Sequence, residues 1–174
     1  MTKDVIDAIR ERTSMRAYET KEVPDETISR IIECGIRAPS AGNCQPWRFF
    51  VVKDPRVKAA LAAAAYGQHF LEEASHVIVV CAEPERSAQR YGDRGRYLYC
   101  IQDTAAAVEN MLLAATAFGL GTCWVGAFDE EAAARAIGVT PPKLRPVAMI
   151  PIGYPARPPK PSSRRRVEEV TTVI

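Results

Sequence analysis

Histidine is scarce in this chain: His69 and His76 are the only two among 174 residues. With no second ligand at metal-binding spacing, and Cys81 inside an apolar run, no zinc site is expected on them, and His76 is read as a cap or solvent-facing residue at a strand start. No apolar run approaches the roughly 20 residues that would span a bilayer. The first residues alternate charges with aliphatics instead of forming a signal peptide, so a soluble, cytoplasmic protein without a membrane partner is expected. Neither sign of charge dominates: 23 basic against 21 acidic residues leave a net charge of +2. That gives no bulk reason to invoke nucleic acid, and the one concentrated cluster, Arg164-Arg165-Arg166, lacks interleaved aromatics. The cysteines at 34, 44, 81, 100 and 123 are odd in number and show no close pair. They read as thiols of a reducing compartment, three of them inside apolar runs.

What is present is enough for one core. Hydrophobic residues make up 47% of the chain, so a single domain over 1–174 is the expectation, with 155–174 as an extended arm. Residues Asp4 to Arg12 place Val5, Ile6 and Ile9 on one helical face. Val23-Pro24-Asp25-Glu26 opens a second helix with buried Ile28, Ile31 and Ile32, and Gly35 suggests its end. Phe49 to Val52 reads as a short buried strand, and Lys53-Asp54-Pro55 turns into an alanine-rich helix. A short helical piece starts near Gln68, and Val77 to Cys81 has the β-branching of a central strand. The polar stretch Glu83 to Arg96 reads as a mobile loop. Tyr97 to Phe118 is a long helix rich in small residues, ended by Gly119. Gly119-Leu120-Gly121 follows a helix rather than opening one, and Trp124 replaces the third glycine, which excludes a dinucleotide fingerprint. Thr122 to Val125 reads as a strand, Asp129 as the cap of a helix over Glu130 to Ile137, and Val147 to Ile152 as a strand in which Pro151 argues for an edge or strand-end position. Pro155, Pro158, Pro159 and Pro161 then lead to the arginines and to a strand-like terminus, Val170 to Ile174.

Two segments carry chemistry. Arg12-Thr13-Ser14-Met15-Arg16 follows the first helix, where an extended backbone would point alternate polar groups the same way. Arg37-Ala38-Pro39-Ser40-Ala41-Gly42-Asn43-Cys44-Gln45-Pro46-Trp47 is loop chemistry able to present backbone N–H groups and short side chains to a planar polar ligand. Together, in this order, they resemble the Arg-x-Ser-x-Arg and Pro-Ser-x-x-Asn-x-Gln-Pro-Trp segments of the FMN-dependent nitroreductase family. The similarity extends through Gly119-Leu120-Gly121 and Gly126-Ala127-Phe128-Asp129 to the basic tail.

The resemblance implies an α+β fold with a mixed, mostly antiparallel central sheet flanked by helices, and a homodimer that exchanges its C-terminal arms. It implies FMN as cofactor and NADH or NADPH as electron donor. Arg12, Thr13 and Ser14 would contact the phosphate and ribityl side, helped by Arg164 or Arg166. Arg16 would lie near the flavin N1, and the Val125-Gly126-Ala127 backbone near N5. Arg37, Pro39, Ser40, Ala41 and Asn43 would reach the flavin of the other subunit. No catalytic acid or base is implied, because the chemistry belongs to the cofactor. The implied activity is hydride transfer in a ping-pong cycle to a nitroaromatic, quinone or similar electron-poor acceptor. The alternative is a flavin-binding protein with a regulatory or delivery role. Gly126 stands where many members carry an acid, and 83–96 is shorter than the lid of larger members; both bear on substrate identity.

Overall fold

The computed structural model describes residues 3–160 and 162–174, so Pro161 of the expected linker lies outside the described residues. Four strands, β1 (Trp47–Val52), β2 (His76–Ala82), β3 (Gly121–Thr122) and β4 (Arg145–Gly153), form one sheet in the order β1-β2-β4-β3. All its ladders are antiparallel. The parallel element among the described residues is a single bridge, Ser14 to Thr122.

Alternation along β2 explains why every one of its residues is buried. Ile78 and Val80 point into a core with Ile28 and Ile31 of α2 (Asp25–Gly35) and Val108, Met111 and Leu112 of α6 (Cys100–Ala117). Val77, Val79 and Cys81 point the other way. There they meet Leu61 and Ala62 of α3 (Pro55–Ala64), Leu71 of α4 (Phe70–Glu73) and Ala133 of α7 (Glu130–Ala136). The Asp129 side chain caps α7 as expected, accepting from the Ala132 N–H at 2.9 Å. Gly119, at φ +77°, ends α6.

Several expectations are corrected. β1 is an edge strand with Val51 43% exposed, so Phe49 to Val52 is only half-buried. Helix α1 (Val5–Glu11) forms, but Val5, Ile6 and Ile9 are 62%, 51% and 53% exposed, and Ala8 is its buried residue. The region 83–96 is helix α5 (Pro84–Arg94) running into a π-helical turn, Gly95–Tyr99. Its inward residues include Ser87 and Gly95, so packing there does not register as hydrophobicity. The strand expected over Thr122 to Val125 is confined to Gly121–Thr122, with Val125 returning as a separate bridge to Met149.

Pro151 lies in β4, which has neighbours on both sides. Met149 exchanges both backbone hydrogen bonds with Val125, so Pro151, two residues on, faces the same, interrupted side of the ladder. There its carbonyl accepts from the Tyr18 hydroxyl at 3.4 Å, and its missing N–H, turned away from β2, costs that ladder nothing. His76 is fully buried rather than solvent-facing. Its Nδ1 lies 2.9 Å from the Ser75 hydroxyl and its Nε2 3.1 Å from Asp25, at the start of α2. Cys81, Cys100 and Cys123 are buried and all five cysteines are free.

Candidate functional site

The segment after α1 is fixed from beneath. The Met15 N–H donates to the Thr122 carbonyl at 2.7 Å, and the Tyr18 hydroxyl donates to the Met15 carbonyl at 2.7 Å. Met15 turns inward over Gly121, where an added Cβ would stand 2.7 Å from Met15 Cγ. With Met15 buried, its neighbours Ser14 and Arg16 are left facing solvent, as the extended backbone requires. Cys123 lies under them: burial pushes its thiol up, while Arg16, Ser14 and Arg12 pull the other way.

The C-terminal segment is laid over this floor. The Glu19 N–H donates to Tyr154 O at 2.9 Å and the Ala156 N–H to Ala17 O at 3.1 Å, so the chain enters the arm already zipped to residues 17–19. The result is a cavity of about 490 Å³ lined by Arg12, Thr13, Ser14, Met15 and Arg16 on one side and Arg157, Pro158, Lys160, Ser162 and Arg164 on the other. Five cations face it and no carboxylate lines it. Among the described residues none of the five makes an ion pair. Five unpaired cations converging beside three hydroxyls form a site for a polyanionic group such as a phosphate.

The structure thus gathers Arg12, Thr13, Ser14, Arg16 and Arg164. Arg166 lies outside the lining; its guanidinium is 3.5 Å from Glu169. Arg157 and Lys160 are lining residues that sequence reasoning missed, because prolines on either side made the stretch read as a spacer. Val125 is buried against Met149, while Gly126 and Ala127 are exposed just beyond it, the Ala127 carbonyl accepting from Gln68 at 3.2 Å.

Arg37, Pro39, Ser40, Ala41 and Asn43 do not line this cavity. Their loop contains a tight 3₁₀ turn, Ala41–Asn43, in which Gly42 and Asn43 have φ of 54° and 55°, and Gln45 just beyond it has φ of 51°. Ser40 stabilises it, its hydroxyl accepting from the Gln45 N–H at 3.0 Å. From α5, Arg90 donates to Gly42 O at 2.9 Å and Arg86 donates to Cys44 O.

A second polar cluster joins residues far apart in sequence: ligand atoms of Glu22, Asp25 and His76 lie within 4.8 Å of one another. The place of a cation there is filled by the Lys53 ammonium, 2.8 Å from Glu22 and 3.0 Å from Asp25. No helix of the described residues is long and apolar enough to cross a membrane.

A helix-covered antiparallel sheet carrying a cation-lined cavity of ligand size defines an α+β protein with a site for an anionic ligand. The nitroreductase family model matches residues 9–69 and 62–154, and the chain belongs to that family. A putative NADH dehydrogenase/NAD(P)H nitroreductase of Archaeoglobus fulgidus is 36% identical over 148 residues, covering 83% of this chain and 81% of that protein. An NADH dehydrogenase of Thermus thermophilus is 33% identical over 194 residues, covering 96% and 94%. Among solved structures, a putative nitroreductase of Desulfovibrio desulfuricans in complex with FMN superposes with a TM-score of 0.84 at 37% identity, covering 100% of this chain and 98% of that one.

Proposed function

We propose that the chain works as a homodimeric, FMN-dependent NAD(P)H oxidoreductase that reduces a nitroaromatic, quinone or similar electron-poor acceptor in a ping-pong cycle. The observation that carries this reading is the cavity of five unpaired cations, because FMN brings a phosphate dianion on a hydroxylated chain. The residues present fit that group. Arg12, Ser14 and Arg164 supply charge and donors for the phosphate, and Thr13 a further hydroxyl for the ribityl chain. Arg16, exposed at the rim with its guanidinium carbon 5.9 Å from the centroid of the Phe70 ring, would supply a cation for the isoalloxazine N1 region. The exposed backbone at Gly126 and Ala127 leaves room for close approach on the N5 side. When bound, FMN accepts a hydride from the nicotinamide and delivers it to the acceptor. The protein's own part is to bind, orient and tune, which accords with a lining that contains no acid.

The dimer is supported by what a single chain leaves open. Val5, Ile6, Ile9 and Ile36 expose apolar surface beside a groove between α1, α2 and α6, and Val170, Val173 and Ile174 of the arm are exposed as well. The loop 37–43 stands apart from the cavity of its own chain, so a second copy that covers the α1 face would let this loop complete the partner's site.

Purified protein should be yellow, be bleached by NADH or NADPH without oxygen, and recolour with a quinone or nitroaromatic. Colour that neither nicotinamide bleaches would instead indicate a flavin carrier. Gel filtration of the chain lacking 163–174 should show loss of both flavin and dimer; a fully loaded dimer would make the arm dispensable.

A further inference from the structure

The loop 39–45 holds three residues in the left-handed region, two of them not glycine, a conformation that persists only where the surroundings enforce it. Its restraints come from two directions. Arg86 and Arg90 of α5 take carbonyls on the outer side, and α5 packs so closely that a Cβ on Gly42 would stand 2.4 Å from the Tyr91 hydroxyl oxygen. From the inner side comes one charged group, Asp103 in the first turn of α6. Its Oδ1 accepts from the Ala41 N–H at 3.0 Å, across 62 residues of sequence. Asp103 is only 7% exposed, and its Oδ2 is buried with no hydrogen-bond partner among the described residues.

A half-satisfied buried carboxylate is a costly way to hold a loop, since an apolar or amide residue would avoid desolvating a charge. Burial pushes its carboxyl above the usual range, with the Ala41 N–H pulling partly back. Seven residues further along the same helix, Asn110 donates to Cys34 O at 3.2 Å, pinning the end of α2 from which the loop departs. Between them Gly35 lies so close to α6 that an added Cβ would be 2.8 Å from Met111 Cγ. Helix α6 therefore grips both the root of the loop and its turn.

We infer that Asp103 is a positioning residue: it fixes the Ala41 amide and thereby holds loop 39–43 in the one shape that completes the flavin and substrate site. The inference rests on the reading of that loop as part of the site given above. The unpaired Oδ2 remains open to a donor that arrives with the ligand or the second subunit.

The test compares Asp103→Ala, Asp103→Asn and wild-type holoprotein. Asn keeps a carbonyl acceptor for Ala41, whereas Ala removes it. Asp103→Ala should weaken FMN binding about tenfold and raise KM for the nicotinamide and a quinone several-fold, with the denaturation midpoint unchanged or raised. Asp103→Asn should restore both constants to within about twofold. Wild-type constants in Asp103→Ala, or equal impairment of Ala and Asn variants, would overturn the assignment. Amide exchange at Ala41 in the flavin-free protein separates the two readings. Faster exchange in Asp103→Ala upholds the anchor even if the protein takes no flavin, and unchanged exchange refutes it whatever the kinetics.

Discussion

The tail carries two arginines that are interchangeable by sequence and opposed by structure, which makes Arg164→Ala against Arg166→Ala a sharp comparison. Arg164 lines the cationic cavity, its guanidinium held among the described residues by local contacts to Ser162 and Ser163. Arg166 is turned toward Glu169. A charge-assisted hydrogen bond contributes about 1.5–3 kcal/mol, and solvent screening of an exposed arm reduces this to about 1–2 kcal/mol. At about 1.4 kcal/mol per tenfold, Arg164→Ala should weaken FMN binding by about 5–30-fold. Arg166→Ala should leave it unchanged. The assay is titration of flavin-free protein with FMN, followed by quenching of flavin fluorescence. Riboflavin, which lacks the phosphate, serves as the control and should bind wild type and Arg164→Ala alike. The difference should narrow between 0.1 M and 1 M salt, as the screening length falls from about 10 Å to about 3 Å. Equal losses for FMN and riboflavin, or equal effects of the two substitutions, would refute the placement of the phosphate.

Gly153→Ala should destabilise the fold by about 1–3 kcal/mol, because the added Cβ would meet the buried Tyr18 ring at 2.8 Å and 3.2 Å; chemical denaturation measures it. Arg16→Ala should weaken FMN binding and lower the flavin reduction potential, read by anaerobic titration against a reference dye, since the reduced flavin loses a cation. Stability should fall as pH drops below about 6.5, the usual histidine value, because burial holds His76 below it and the unfolded chain takes up the proton first. Glu22 and Asp25, both held below the usual carboxylate range by Lys53, stay ionised in that window. Denaturation midpoints of wild type and His76→Gln at pH 7.5 and 5.0 should therefore diverge, and parallel losses would exclude His76 as the group responsible.

Strands and helices whose apolar spacing matches their burial were legible in the sequence. Val77 to Cys81 is the clearest case: β-branched residues in an unbroken run became the strand with a core on each face. One wall of the cationic cavity was legible as well, because Arg12 to Arg16 combines charge and hydroxyls at a helix exit. What pattern could not show was contact between distant residues. Helix α5 packs through Ser87 and Gly95 rather than through aliphatics, so composition alone gave a loop. Val5, Ile6 and Ile9 carried the right period for a helix, but period does not say whether the partner surface belongs to the same chain. Lys53, Asp25 and His76 meet from three separate parts of the chain, and Asp103 reaches Ala41 across the fold. None of these pairs has a local signature.

The order β1-β2-β4-β3 carries a consequence for how the protein comes into being. During synthesis β2 can pair with β1 early, but its second neighbour begins only at Arg145, so one edge of the most apolar strand waits through some sixty residues of elongation. Non-local pairing of this kind slows folding and leaves an edge open to other chains. The cavity closes later still, since its far wall is residues 157–164 laid over residues 12–16. A nascent chain halted after β4 would have its whole sheet and both cores, yet only half of its cationic cavity.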